Sequence, residues 1–210
     1  MTVQGTASAA TTSVAIPTHT AGDVLLVFAR AASNTAPTVP ASGGTVPAWA
    51  TAQSAGANTL ALITAYFVAT AANHTTGTWT GAAHLCVLVL RPDAGMVLSY
   101  GTSASGNGNN TQTIVYPALS FGNLTGSSWG VRCGTRGVAV TAVGAAPNNW
   151  VNQIIQPAGA SALMSVHTRA SITANAVADT VTTTGTNAPY RAHTVEIREA
   201  PKQQPMVTIA

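Results

Sequence analysis

Charge is what this sequence has least of: 6% of its 210 residues are Asp, Glu, Lys or Arg, against roughly a quarter in an ordinary soluble domain. The acids are Asp23, Asp93, Asp179, Glu196 and Glu199, and the bases are scattered from Arg30 to Lys202 with no run of three. The pI near 9.2 therefore reflects scarce acids. A dense basic stripe able to neutralise several phosphates is missing, so nucleic acid is not an expected partner. Long apolar runs are lacking too. The best, "LCVLVL" at 85–90, is strand-sized and far short of the ~18 residues of a membrane-spanning helix, so no membrane partner is expected. The opening "MTVQGTASAATT" lacks the basic and apolar regions of a secretory signal. Cys86 and Cys133 are too few for a disulfide framework and sit in apolar stretches, which reads as buried free thiols.

What is present is 46% hydrophobic residues set among Thr, Ser, Asn and Gly, which excludes the low-hydrophobicity, high-charge route to disorder. Apolar residues alternate or run in short blocks, and Gly, Pro, Asn and Thr clusters interrupt them at short intervals. Strands are predicted throughout.

The blocks recur in one order. "TTSVAIP" (11–17) stands opposite "TQTIVYP" (111–117), "GDVLLVFAR" (22–30) opposite "SWGVRCGTR" (128–136), and "PAWATAQSAGA" (47–57) opposite "NNWVNQIIQPAGA" (148–160). "LALITAYFVA" (60–69) faces "ALMSVHTRAS" (162–171), and "GTWTGAAHLCVLVLR" (77–91) faces "GTNAPYRAHTVEIR" (185–198). This aligns Arg30 with Arg136, Trp49 with Trp150 and His84 with His193. The expectation is an all-β, antiparallel, jelly-roll-like sandwich of about ten strands built from a duplicated five-strand unit. Pseudo-repeats 5–97 and 98–199 would share one sandwich over residues 1–199, both halves giving strands to both sheets, and 200–210 would form an extended arm.

Candidate chemistry is thin. "GSSWG" at 126–130 has the G-x-S-x-G form of a nucleophile elbow, and Ser128, Asp179 and His193 run in the order of the α/β-hydrolase triad. That fold needs a helix after the serine, and "VRCGTRGVAVTAV" is a strand sequence, so Ser128 is read as a turn residue at a strand entrance. Asp23 reads as a residue that starts a strand, Asp93 as a turn residue, and Glu196 and Glu199 as solvated strand positions rather than a carboxylate pair. The five histidines have no metal-ligand spacing. His84 and His193 read as a shared structural position, such as a strand-start hydrogen bond. "GNGNN" at 106–110 reads as a surface loop. No catalytic, cofactor-binding or metal-binding residue is assigned. Trp49 and Trp150 recur and read as core plugs, whereas Trp79 and Trp129 do not and are the two candidates for stacking on a sugar.

On "AGDVLLVFAR", the Pro-rich stretch leading to Trp49, "GTWTGAAHLCVLVLR" and the closing "APYRAHTVEIREA", residues 5–200 resemble the duplicated β-sandwich virion proteins of tailed bacteriophages: capsid decoration, head-fibre and minor tail proteins. The resemblance implies a non-enzymatic, cofactor-free virion component. It would decorate or cement the capsid by binding the major capsid protein, as a homo-oligomer with the trimer as the analogous state. The other role it implies is a receptor- or glycan-binding module at a tail or fibre tip. The ending "APKQQPMVTIA" then reads as an arm whose Pro205, Met206, Val207 and Ile209 contact a neighbouring subunit.

Overall fold

The computed structural model describes residues 1–57, 59–138, 140, 143–146, 149–158 and 162–203. Among them there is no helix. The strands are β1 (Thr2–Ala9), β2 (Val24–Ala31), β3 (Ala50–Ala57), β4 (Leu60–Val68), β5 (His84–Arg91), β6 (Met96–Thr111), β7 (Thr113–Tyr116), β8 (Ser128–Arg136), β9 (Val151–Ala158), β10 (Ala162–Arg169), β11 (Asp179–Thr182) and β12 (Ala188–Pro201). Every pairing between them is antiparallel.

Two five-stranded sheets carry the orders β1-β5-β2-β4-β3 and β6-β12-β8-β10-β9, and β7 and β11 make a separate ribbon. The expectation that both halves feed both sheets is corrected: each sheet is made wholly from one half of the chain. The reason is local. Each half contains its own five mutually complementary strands joined by connections that return to the same sheet, so neither half needs the other to complete its hydrogen-bond ladder.

The halves meet face to face instead. Alternation along β2 sends Val24, Leu26 and Phe28 into a core shared with Val131, Cys133, Met164, Val166, Val195 and Ile197 of the second sheet. Across this core β1 lies over β9, β5 over β10, β4 over β12 and β3 over β6. Two contacts from β4 fasten it: Tyr66 stacks on Tyr100 with ring centroids 4.7 Å apart, and Thr64 Oγ1 shares a hydrogen bond of 2.8 Å with His193 Nδ1.

The outward faces are buried as well, which is why β2 is apolar on both sides. Leu25, Val27 and Ala29 point away from the second sheet and are roofed by Val14, Ile16, Trp49 and Trp79. On the other sheet Ile114 and Tyr116 of β7 and Val181 of β11 cover Leu163, Tyr190 and Ala192. Residues 11–17, expected as a strand, form no strand; they are a roofing segment, the role that β7 plays as a strand in the second half. "GNGNN" is not a loop but the end of β6, where Gly108 lies so close to the Tyr190 ring that a Cβ would come within 2.2 Å of it.

Register also corrects one alignment. Arg30 pairs with His84, whereas His193 pairs with Cys133 and Arg136 with Tyr190. If His84 matches His193, the match of Arg30 is Cys133, not Arg136. Facing agrees, since Arg30 shares the inward side of Phe28 while Arg136 falls on the outward side of β8.

Candidate functional site

The G-x-S-x-G segment is accounted for position by position. Gly126 adopts φ +90°, a backbone conformation that disfavours any Cβ. Ser128 is buried and donates its hydroxyl to Glu196 Oε1 at 3.0 Å. Gly130 lies beneath Trp150, where a Cβ would stand 2.7 Å from Cη2 of that ring. The three triad candidates do not converge: Ser128 bonds Glu196, Asp179 pairs with Arg132 at 2.7 Å, and His193 bonds Thr64.

Glu196 is the most connected side chain. Its Oε2 accepts from Thr102 N and Oγ1 at 3.2 Å each, Gly122 N at 3.1 Å and Arg198 Nη2 at 2.9 Å. Oε1 accepts from Asn123 N at 3.1 Å and from Ser128. Burial alone would push this carboxyl up, but hydrogen bonds from Arg198, Gly122, Ser128 and Asn123 outweigh it and bring the carboxyl down to about 2. The expectation that Glu196 and Glu199 are solvated is overturned, since they are 0% and 8% exposed. The outward face of β12 is roofed by residues 119–127, so its carboxylate closes the end of a loop rather than meeting water.

Three of the other acids, Asp23, Asp179 and Glu199, are bonded as well. Asp23, buried at the start of β2, accepts from Arg91 Nε at 2.9 Å and Nη2 at 2.7 Å, a two-pronged clamp that ties β2 to the end of β5. Asp179 meets Arg132, whose guanidinium also lies 4.0 Å from the Trp150 ring centroid and donates to Val177 O at 2.7 Å. Glu199 Oε1 accepts from Asp93 N at 2.6 Å.

His84 and His193 are both buried, but the shared strand-start hydrogen bond expected of them is corrected: the two ring nitrogens of His84 have no partner among the described residues, and of the pair it is His193 that is bonded, to Thr64. Burial, aided by Arg132 and Arg191 respectively, draws His167 down to about 4 and His193 down to about 3. Cys86 and Cys133 are buried free thiols. Among the described residues no three His, Cys, Asp or Glu side chains converge on one point.

The sugar platform is not formed. Trp79 is fully buried beside Trp49, with ring centroids 6.1 Å apart, because its indole N–H is drawn in to Thr76 O at 3.1 Å. Trp129 is half-buried against the shared core on the other sheet, so the two rings cannot flank one ligand. Trp49 and Trp150 are both buried under the outward faces, in their separate clusters. A shallow groove of about 380 Å³ runs between residues 13–15 and 75–78. Its lining has hydroxyls and backbone but no titratable side chain, so it can accommodate a surface but not conduct acid–base chemistry.

The feature that stands out is at the sheet margins. β1, β3, β6 and β9 each pair with a single strand of their sheet, and none of the four contains a charged residue. Proteins usually blunt such edges with Lys or other charges. Here Val97 on β6 is 41% exposed, and Val151 and Ile155 on β9 are 59% and 40% exposed. Sequence reasoning read the low overall charge but could not say which strands lie at the edges, since that is set by the strand order. The expected arm residues Pro205, Met206, Val207 and Ile209 lie outside the described residues; β12 itself runs through Pro201, past the expected end of the sandwich at residue 199.

No protein-family model, no curated protein and no solved structure matches this chain.

Proposed function

We propose that this chain is a non-enzymatic structural component of a tailed-bacteriophage virion, a decoration or cement protein that binds the assembled shell through the major capsid protein and its own copies. The observation that carries the reading is the set of four uncharged free edges, three of whose side chains expose large apolar surface. Burying charge at a contact costs several kcal/mol unless it is paired, and an edge without charge avoids that cost when another subunit packs on it. Many copies binding only the assembled state then stabilise it by mass action.

The duplicated unit belongs to the same proposal. The two sheets have strand orders that correspond place for place, β1 with β6, β5 with β12, β2 with β8, β4 with β10 and β3 with β9. Trp49 and Trp150 hold matching places before β3 and β9, and His84 and His193 both face inward on β5 and β12. The jelly-roll likeness extends to two packed antiparallel sheets, without exchange of strands between the halves. The receptor- or glycan-binding reading loses support with the burial of Trp79.

Charging the edges tests the proposal. Val97→Lys on β6 and Ile155→Lys on β9 sit at exposed positions and should change stability by less than about 0.5 kcal/mol each. Their combination is expected to lower occupancy on purified particles or the oligomeric state in solution. Unchanged occupancy and unchanged self-association in the folded double variant would rule the edges out.

A further inference from the structure

Two buried basic side chains lie together at the end of the sandwich where β2 finishes and β5 begins. Arg30 and His84 are opposite one another in the β2–β5 register. By alternation both face the second sheet, Arg30 with Phe28 and His84 with Cys86. They are 2% and 3% exposed. Neither Arg30 Nε nor either ring nitrogen of His84 has a hydrogen-bond partner among the described residues.

No acidic side chain among the described residues compensates them. Asp23 is clamped by Arg91, Asp179 by Arg132 and Glu196 by Arg198, while Asp93 and Glu199 meet beyond the opposite end of β5. On the facing sheet the corresponding end of β12 supplies Arg191 and His193, basic again. A guanidinium cannot shed its charge as a buried lysine can. Burial draws Arg30 down to about 10, which still leaves it charged at neutral pH. A buried cation without a counter-charge is strongly unfavourable, and a guanidinium presents its N–H groups as a fork matched to two oxygens of one anion.

We propose that Arg30 and His84 form a binding site for a small oxyanion, the guanidinium giving two parallel N–H donors and the imidazole a third. The site stands on this geometry and not on the virion reading above. It would act as a structural counter-ion site, tying the end of the first sheet to the loops around it.

Thermal unfolding in inorganic phosphate, against chloride at equal ionic strength, tests this in the full chain and in Arg30→Met. A saturable rise in Tm is expected for the parent chain, roughly 3–6 °C once phosphate exceeds the half-saturating concentration about tenfold. Arg30→Met should fold, unfold no earlier than the parent in chloride, and show no such rise. No saturable rise in the parent, or an equal rise in Arg30→Met, overturns the proposal, the latter being the behaviour of general salt stabilisation. Should Arg30→Met fail to fold, the ring resonances of His84 in the parent chain decide: a saturable shift with phosphate supports the site, and resonances that do not move overturn it.

Discussion

Ser128 donates its hydroxyl to Glu196 across 3.0 Å, with both side chains fully buried. In a hydrolase the serine of this motif faces a base and a substrate; here it faces a carboxylate that is already satisfied by a loop. The serine is one of a group of donors that fix residues 119–127 to the second sheet.

Glu196→Gln is therefore expected to destabilise the fold by roughly 2–4 kcal/mol, because an amide NH₂ would be turned against donors that a carboxylate accepts. Ser128→Ala should cost less, about 1–2 kcal/mol, since it removes one donor of several. Urea unfolding of both variants measures this. A Glu196→Gln protein as stable as the parent would show that the cluster does not hold the loop. A fluorophosphonate serine probe should leave the folded parent unlabelled at Ser128.

Gly130→Ala tests the close approach under Trp150. The added Cβ meets ring atoms rather than a flexible side-chain end, so a loss of roughly 1–3 kcal/mol is expected. Pairing it with Trp150→Leu should recover part of the loss, because the clashing ring atoms are gone. If the single variant unfolds at the parent Tm, the packing described here is wrong.

Acid should weaken the fold well before the carboxylates titrate. His167 and His193 are held neutral down to about 4 and about 3, whereas in the unfolded chain they protonate near 6.5. Their contribution is complete above about pH 6.5 and is lost as pH falls through the folded values. Between the unfolded and the folded values each histidine costs up to about 1.4 kcal/mol per pH unit. Glu196 adds a second loss below about 4.5 that continues to about 2. Urea midpoints measured from pH 7.5 to 4 should fall from near pH 6.5 downward. His167→Asn and His193→Asn should each flatten the slope. A midpoint constant between pH 7 and 5 would contradict the burial of both rings.

The thiols give an independent check on the shared core. Burial pushes Cys86 up to about 12, and burial together with Cys86 raises Cys133. Neither should react with a thiol reagent at neutral pH until the chain unfolds, and both should then react together. Rapid labelling of either one in the folded protein would mean that the sheets do not close over it.

Much of this architecture could be read from residues. The unbroken apolar runs in "VLLVFARA" and "HLCVLVLR" mark strands buried on both faces, and the recurrence of Trp49 and Trp150 marks two positions that are indeed buried. What could not be read was set by strand order. Nothing local says that the outward face of β12 lies under a roof, so Glu196 reads as solvated. The segment 11–17 has strand alternation, yet it pairs with no strand and packs Val14 and Ile16 as a cover over the first sheet instead. Trp79 looks unpaired beside Asn187, and only the path of residues 70–83 over the first sheet explains its burial.

The role proposed for the uncharged margins is assembly on a particle. Quantitative mass spectrometry of virus particles purified from the chain's native source tests that role. The protein is expected in the particles at many copies, in fixed proportion to the major capsid protein and retained through density-gradient purification. Its absence from the particles, while it is abundant and monomeric in the infected-cell extract, would rule that role out.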